Sequence, residues 1–538
     1  MKKLARYFFL LSGIFMGVIV STALSSEVAG IQGNKVTPRV VEWNTLSSSI
    51  EATALPEPSV IPLMSSPGPR IIHSATLPLT SVSKLETVSL PGIQGEAAAP
   101  SLSMSFSAVS DNLSYIPPDT IGAVGPSHLM TTLNGTVRIQ DKTGGIISTV
   151  SLNSYWGKPS GVFDPKVYYD EDINRWITVA CVSSQNANSA VLLGISSTND
   201  PTGAWYQWSF DADGANVNWA DYPGVGFNQK WIAISMNMFT VAANAFSGPK
   251  TWVLDKTTAM TGGVLTPTLF NPGFDDIGSG TGFTLIPCHT FGTETDLYIL
   301  DSDWASGLNK FVRISKLTGA AATPSWSFLG YVDVQDYSSS FPDAPQFGTT
   351  TTIETNDTRV MNAVCRNGSL WYSQTGALPT TAPNRTVALW HQVSTDLTLI
   401  QEGAIDGLVG GTTTFYYFPS IAVTASNDVG IGFSGSNSGN YPSAYYANRR
   451  GTDPLNTFQS VSLMKAGEGI YTKYYSGTRN RWGDYSATVV DPVDGSLWTL
   501  QEYALAPSGS GTDIGRWGTW WGKFDASVPI TLSSFVAE

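Results

Sequence analysis

The sequence predicts an all-β fold, a seven-bladed β-propeller that follows an extended N-terminal leader. Seven times along the chain, a short apolar run meets a turn of Gly, Asn or Asp and is followed by a second strand rich in Trp, Tyr or Ile. Successive pairs lie about 45 to 71 residues apart, the length of a four-stranded blade with its loops. No window between about residues 110 and 525 has a sustained helical period. The strand pairs begin near Asp119, Asp164, Asp221, Phe283, Phe347, Phe418 and Trp482.

The first 29 residues have the pattern of a secretory signal peptide. Lys2, Lys3 and Arg6 form a basic start, and an apolar run from Phe8 to Val20 follows. A run of about thirteen apolar residues is too short to span a bilayer, and no second long apolar run occurs. The sequence therefore predicts a protein without a membrane span that is cleaved around residues 23–29 and is secreted or held at the cell surface.

Three further regions follow the predicted signal peptide. Residues 30–109 are rich in Pro, Ser, Leu and Val without a strand or helix period, which indicates a low-complexity leader or linker. Residues 110–525 are the predicted propeller. Residues 526–538 form a C-terminal strand that resembles the opening strand of the β-sandwich modules preceding C-terminal sorting domains in Bacteroidetes-type secreted proteins. That resemblance implies the start of a truncated module.

Charge and cysteine usage exclude two classes of function. Lys and Arg number 29 against 42 Asp and Glu, and a net charge of −13 without a basic stripe argues against a nucleic-acid partner. The three cysteines, Cys181, Cys288 and Cys365, match no metal-binding spacing and allow at most one disulfide. Because each lies in an apolar strand-like run, we expect buried free thiols. We also expect a monomer.

Four aspartates are the candidate catalytic residues. When the repeats are aligned, they fall at nearly equivalent places, at or just before the innermost strand of a blade. Equivalent positions of successive blades meet around the central axis, so these carboxylates are expected to converge at the mouth of the channel. The four are Asp119, Asp164, Asp221 and Asp484, and the candidate ligand-binding residues beside them are Lys166, Tyr222, Arg481, Trp482 and Tyr485.

The sequence leaves three interpretations of this aspartate cluster open. In a catalytic site, one carboxyl held neutral would act as the acid and an ionised partner as the base or nucleophile. In a cation site, clustered carboxylate oxygens and backbone carbonyls suit Ca²⁺. In a structural role, an Asp before an inner strand caps a turn or accepts backbone N–H groups of the neighbouring blade. No cofactor other than Ca²⁺ is indicated, and the identity of any metal stays open.

The most specific site prediction concerns the segment from Arg481 to Tyr485. Gly483 indicates a close backbone approach or a positive φ that directs Asp484 toward the axis. Arg481 would then pair with Asp484 or with an Asp of a neighbouring blade and offset the repulsion between like charges. This requires Arg481 and at least two of the aspartates to lie in one cluster.

Four segments resemble a widespread group of secreted bacterial propeller proteins. They are PPDTIGAVGP (117–126), SSTNDPTGAWYQWSF (196–210), ADYPGVGF (220–227) and RWGDYSATVVDPVDGSLWTLQEY (481–503). The group carries PPDTNGxVGP, DPTGxW, DYPKxG and RWGDYS motifs in the same order. Ile121 stands where the group has Asn, and Gly224 where it has Lys. The group is described as sialidase-like or BNR-type propellers without an established activity, so the resemblance implies a bacterial, exported propeller and no particular reaction.

Two functional hypotheses follow. The chain contains no HExxH, GxSxG, P-loop or Rossmann motif. The first hypothesis is therefore an extracellular recognition or adhesion module that binds a glycan, a peptide or a cation at the channel mouth. The alternative is a polysaccharide-active glycoside hydrolase that uses the clustered aspartates.

Overall fold

The computed structural model describes residues 27–28, 30–46, 94–113, 115–272, 282–302, 308–338, 340–409, 412–474, 479–508 and 514–525. The predicted C-terminal strand 526–538 and all but residues 27–28 of the predicted signal peptide lie outside these ranges. Within them the regular secondary structure is almost entirely strand, with two short α-helices, α1 and α2, and one 3-10 turn. These are Leu152–Trp156, Lys256–Met260 and Trp43–Thr45.

The strands follow one another with short connections. The first eighteen are β1 Glu27–Val28, β2 Ile31–Gln32, β3 Arg39–Glu42, β4 Gln94–Ala98, β5 Met104–Ser110, β6 Ile121–Val124, β7 His128–Leu133, β8 Thr136–Asp141, β9 Ile146–Ser151, β10 Val162–Asp170, β11 Arg175–Val182, β12 Ala190–Ser196, β13 Ala204–Asp211, β14 Asn218–Phe227, β15 Trp231–Thr240, β16 Phe246–Asp255, β17 Thr268–Phe270 and β18 Ile286–Pro287. The others are β19 His289–Thr290, β20 Leu297–Ser302, β21 Leu308–Ala320, β22 Thr323–Ser338, β23 Val360–Arg366, β24 Ser369–Leu378, β25 Arg385–Ser394, β26 Leu399–Ile405, β27 Gly407–Val409, β28 Thr412–Val423, β29 Val429–Asn437, β30 Asn440–Arg449, β31 Phe458–Ser460, β32 Ser462–Lys465, β33 Ala487–Val490, β34 Leu497–Leu505 and β35 Arg516–Phe524.

The strands pair into successive four-stranded antiparallel units, and the predicted all-β propeller fold is confirmed. We number the units along the chain: unit 1 is β6 to β9, unit 2 is β10 to β13, unit 3 is β14 to β17, unit 4 is β18, β20, β21 and β22, unit 5 is β23 to β26, unit 6 is β28, β29, β30 and β32, and unit 7 is β33, β34, β35 and β5. The blade count of seven stays a prediction, because further bridges join units 3, 4 and 5 into one larger sheet: β19 pairs in parallel with β14 and with β23, and β22 pairs antiparallel with β24.

The last unit is completed by a strand from the N-terminal side of the chain. β5 pairs antiparallel with β35, so Trp521 lies opposite Phe106. Strands from the N- and C-terminal parts of the chain therefore share one unit. This pairing joins residues more than 400 positions apart in the sequence and closes the ring.

Parts of the predicted leader also add strands to the sheets. β3 extends unit 2, β2 extends unit 3 and β1 pairs with β22 of unit 4. β4 pairs in parallel with β31 beside unit 6. The boundary between leader and propeller therefore stays a prediction, since β1, β2 and β3 pair with strands of the propeller units and β4 pairs with β31 beside them.

The core lies between neighbouring units and is filled by aromatic side chains. Trp176 and Trp498, at matching second-strand positions of units 2 and 7, are fully buried in the same apolar cluster. Buried ion pairs repeat between units: Lys256 of unit 3 reaches Asp170 at 2.7 Å, and Lys142 of unit 1 reaches Asp491 at 2.7 Å. The three cysteines are buried free thiols, as the sequence predicts.

Candidate functional site

Bulges at the start of the inner strands position the candidate residues. The register of β10, β14 and β28 shifts where Asp164-Pro165, Tyr222-Pro223 and Phe418-Pro419 occur. Pro cannot donate to the ladder, and a bulge on an edge strand accommodates it. The residue before each Pro has a φ of 50° to 54°, a conformation that turns its side chain or backbone toward the neighbouring units.

Asp119 is fully buried and joins units 1 and 7. Its φ is 50°, its Oδ1 accepts the backbone N–H of Asp484 at 3.0 Å, and its Oδ2 accepts the side-chain amide of Asn134 at 2.6 Å. Burial, followed by the negative charges of Asp484 and Asp164, raises the pKa of Asp119 well above its ordinary value. Asp119 therefore favours its protonated form more than an exposed carboxyl does, and it holds the backbone of another unit.

Asp164 joins units 1, 2, 3 and 7. Its backbone N–H donates to Asn134 Oδ1 at 2.9 Å. Its Oδ2 accepts the Tyr222 N–H at 3.2 Å and the Tyr485 hydroxyl at 3.1 Å. Burial and the charge of Asp484 raise the pKa of Asp164, and its carboxyl group lies close enough to Asp119 to share a proton with it.

Asp484 differs from these two because it is paired with a cation. Arg481 donates to its Oδ1 at 2.6 Å, and Asn356 donates to the same oxygen at 3.4 Å. Burial would raise the pKa of Asp484, but the positive charges of Arg481 and Arg359 outweigh it and lower the pKa. The structure thus places Arg481, Asp484 and Asp119 in one cluster, and Asp484 is its ionised carboxylate.

Asp221 is buried without a hydrogen bond to its carboxyl group from the described residues. It precedes the bulge residue Tyr222 by one position, and neither of its carboxyl oxygens has a hydrogen-bond partner among the described residues. The positive charge of Arg359 and the nearby Tyr222 N–H lower its pKa, but the Tyr222 N–H is already bonded to Asp164. Burial, followed by the charges of Asp164 and Asp484, raises the pKa of Asp221 well above its ordinary value.

Lys166, Tyr222 and Tyr485 form a layer beside the aspartates, which we call the floor. The Lys166 Nζ lies 2.8 Å from the centroid of the Tyr485 ring and 5.6 Å from that of Tyr222. The two tyrosine rings are 4.7 Å apart. Burial lowers the pKa of Lys166 to about 7, against the raising effect of Asp164 and Asp119. The floor thus holds an amine that changes charge near neutral pH.

Two cavities lie on the far side of the floor, inside the channel. The larger, about 60 Å³, is lined by the inner strands of all the units described above, from Lys166 to Glu171 at the opposite end. The smaller, about 30 Å³, lies against Lys166 and Tyr485. None of the four aspartates lines either cavity in the described part of the chain. The site predicted from sequence is therefore divided: the carboxyl groups are on one side of the floor and the accessible space is on the other.

Two connecting segments cover the aspartates on their own side. Gln346 exchanges two hydrogen bonds with the backbone of Tyr471, at 2.7 and 2.8 Å. Asn480 donates to the carbonyl of Thr352 at 3.0 Å, and Arg479 pairs with Glu354. This places Gln346 in the covering segment.

Trp482 packs in the interior between units 6 and 7. Its indole N–H donates to the Ser434 hydroxyl at 3.0 Å, and its ring lies 4.7 Å from that of Tyr471. Only 1% of its surface is exposed. A ligand could not reach Trp482 without displacing these contacts, whereas Lys166 and Tyr485 face a cavity.

Sequence reasoning missed three residues of the cluster. Arg359 is buried, pairs with Asp357 and lies 4.3 Å from the centre of the Tyr222 ring. Asn134 connects Asp119 and Asp164, and its position in an Asn-Gly turn was a signal that a side-chain cap occurs there.

Glu502 is buried, and neither of its carboxyl oxygens has a hydrogen-bond partner among the described residues. Burial, followed by the charge of Asp119, raises the pKa of Glu502 well above its ordinary value.

No protein-family model matches the chain, and no curated protein matches it in sequence. Solved structures with a similar fold include a sialidase of Trypanosoma rangeli in complex with 2,3-difluorosialic acid, at 13% identity and a TM-score of 0.35. That match covers 72% of this chain and 56% of the sialidase, so the chain matches about half of that protein's length.

Two further solved structures show the same degree of likeness. The WD40 domain of SCAP from fission yeast has 10% identity and a TM-score of 0.32, over 79% of this chain and 98% of that one. A protein of unknown function from Dyadobacter fermentans has 11% identity and a TM-score of 0.31, over 57% of this chain and 95% of that one. At these identities and TM-scores, the likeness says nothing about what this chain binds or catalyses.

The described residues contain neither a membrane-spanning helix nor a group of side chains arranged to bind a metal. No helix there is long and apolar enough to cross a bilayer. No group of three or more His, Cys, Asp or Glu side chains in those ranges is arranged to hold a metal ion. A Ca²⁺ site stays a prediction.

Proposed function

We propose that this chain is an exported, non-catalytic recognition module that binds an extracellular ligand, a glycan or another cell-surface group, in its central channel. The observation that carries the proposal is the division of the site by the floor. Lys166 and Tyr485 line the cavities, while Asp119, Asp164 and Asp221 are at most 1% exposed. The ligand site is therefore the channel beyond the floor.

The contacts of the aspartates support a structural role for them. Glycoside hydrolysis needs two carboxyl groups about 5–10 Å apart on either side of a bound sugar. Asp119 and Asp164 instead lie within reach of a shared proton, and each accepts a backbone N–H of another unit. Their recurrence follows from the repetition of the fold, because each unit needs acceptors for the N–H groups at its bulge.

A binding screen with matched variants tests the proposal. Purified protein is applied to glycan and peptide arrays together with the variants Val489→Phe and Val493→Phe. Val489 lines both cavities, whereas Val493 is 67% exposed in a turn three positions after the inner strand ends. We expect Val489→Phe to lose at least tenfold in affinity for any ligand found, because the added ring fills the channel, and Val493→Phe to bind like the wild type.

The same preparation tests the alternative function. The wild type and the variants Asp164→Asn and Asp221→Asn are incubated with a panel of polysaccharides, and thermal stability is measured with and without Ca²⁺. We expect no released sugar. Hydrolysis by the wild type that is lost in Asp164→Asn would establish the glycoside hydrolase, and a ligand bound equally well by Val489→Phe would place the site outside the channel.

A further inference from the structure

The Lys166 amine at the inner end of the channel is a titratable group whose contacts are aromatic. Among the described residues no hydrogen-bond acceptor and no carboxylate within ion-pair distance contacts its Nζ, whose recorded contacts are the faces of the Tyr485 and Tyr222 rings. The Asn362 side chain, which lines the same cavities, is occupied. Asn362 bonds the backbone of Ile421 through both its amide nitrogen and its oxygen, at 2.8 and 3.0 Å.

The opposite end of the channel has aromatic and charged residues that are compensated among themselves. His289 lies 4.2 Å from Phe291, ring centre to ring centre, and Arg366 covers the other side of Phe291 at 4.3 Å. The charge of Arg366 acts on the neighbouring Glu171. Burial, with the charges of Lys256 and Arg366, lowers the pKa of His289 to about 3, so its ring is neutral. The Lys166 ammonium at the inner end of the channel therefore decides which ligand the channel prefers.

The size of the cavity limits what can reach Lys166. A cavity needs about 10–15 Å³ of such volume for each water-sized group, so about 60 Å³ accommodates roughly four to six non-hydrogen atoms. A carboxylate with its attached carbon has this size, and a pyranose ring does not. The inner end of the channel thus suits the acidic group of a ligand.

We infer that the channel recognises a carboxylate-bearing ligand, whose anionic group enters the cavity and pairs with the Lys166 ammonium above the Tyr485 ring. This inference rests on the proposed function and names the ligand class for the same site. An ammonium desolvated by aromatic rings gains a charge-assisted hydrogen bond when a carboxylate arrives. The carboxylate could belong to an acidic sugar or to the C-terminus of a peptide.

Acetate is the probe, with acetamide as its neutral counterpart, and binding is measured by saturation-transfer NMR and calorimetry. We expect acetate to bind the wild type and acetamide not to bind. Lys166→Met should weaken acetate binding at least tenfold. The control Lys230→Met removes a lysine that also covers a tryptophan ring, at 4.9 Å, but lies outside the channel, and it should change nothing. D-Glucuronate and an acetylated peptide with a free C-terminus then distinguish the two sources of the carboxylate.

The pH dependence gives a second readout. The groups that act on Lys166 are Asp164, Asp119, Asp484 and Cys181, and the rings of Tyr222 and Tyr485 lie against it. With a Lys166 pKa of about 7, the protonated fraction falls about 30-fold between pH 6 and pH 8.5, and acetate affinity should fall with it. Lys166→Arg, which stays protonated, should bind acetate without this pH dependence.

The outcomes separate this inference from the proposed function. Acetate that fails to bind the wild type at either pH, or that binds Lys166→Met as well as the wild type, overturns the carboxylate inference. If an array ligand is lost in Val489→Phe and retained in Lys166→Met, the channel is the site but does not recognise a carboxylate. If Lys166→Met does not fold, the pH dependence of acetate binding is compared between the wild type and Lys166→Arg. The same pH dependence in both proteins overturns the inference.

Discussion

Replacing Asp221 with Asn is expected to stabilise the protein near neutral pH. Asp221 is 1% exposed and neither carboxyl oxygen has a hydrogen-bond partner among the described residues, so an amide removes no hydrogen bond seen there. Burial, followed by the charges of Asp164 and Asp484, raises its pKa well above the ordinary value. The folded protein therefore keeps a proton on Asp221 at pH values where the unfolded chain has released it. Folding stability must fall as the pH rises from the unfolded pKa, about 3.9, through the folded pKa.

The size of the effect follows from proton linkage. One proton difference changes the free energy of unfolding by about 1.4 kcal/mol per pH unit. Between pH 5 and pH 7, Asp221 thus lowers the stability of the wild type by up to about 2.7 kcal/mol relative to Asn, which does not ionise. Urea unfolding of both proteins at pH 5, 6, 7 and 8 measures the difference, which should be smallest at pH 5 and should grow toward pH 7 with an unchanged m-value.

The same substitution at Asp119 should have the opposite sign. Both Asp119 oxygens accept hydrogen bonds, at 3.0 Å from the Asp484 N–H and at 2.6 Å from the Asn134 amide. An Asn side chain offers only one acceptor, so one buried donor would face another donor, at a cost of about 1–3 kcal/mol.

Equal stability of Asp221→Asn and the wild type at every pH would refute the reasoning, because Asp221 would then titrate alike in the folded and unfolded states.

Two further predictions concern the Arg481–Tyr485 segment. Arg481→Met should destabilise the protein by about 3 kcal/mol near pH 7, because it leaves the Asp484 carboxylate with one cation fewer. In urea melts this loss should shrink as the pH falls through the folded pKa of Asp484, and a loss independent of pH would contradict the ion-pair account. Gly483→Ala should cost about 1–3 kcal/mol, since its Cβ would lie 2.7 Å from Glu502 Oε2. Gly214→Ala meets nothing within 4 Å and is the control; equal effects of the two substitutions would contradict the close approach.

The sequence was informative where structure is local or repeated. Strand pairs separated by Gly, Asn or Asp turns predict the antiparallel units, and their spacing predicts the propeller. The expected close approach at Gly483 is confirmed through Glu502, without a positive φ. The cluster of Arg481 with Asp484 and Asp119 could also be anticipated, because equivalent positions of a repeated fold meet at its axis.

Other features depend on contacts that no local pattern contains. The alignment of repeats placed Asp221 level with Asp164, but the bulge residue of unit 3 is Tyr222, and a one-residue shift in a strand reverses the side-chain direction. The cover over the aspartates joins Gln346 to Tyr471 across 125 positions. The sequence therefore identified the carboxyl groups correctly as neighbours, but it gave no indication that the open space lies behind Lys166.

The pKa of the Lys166 amine, measured by NMR of lysine-labelled protein with and without a carboxylate ligand, tests most directly whether the channel is the binding site. Burial sets this pKa at about 7 in the free protein, and a carboxylate bound in the cavity must raise it because it stabilises the ammonium. Lys230, outside the channel, should not respond. A Lys166 pKa that is unchanged while the ligand binds would contradict a site in the channel.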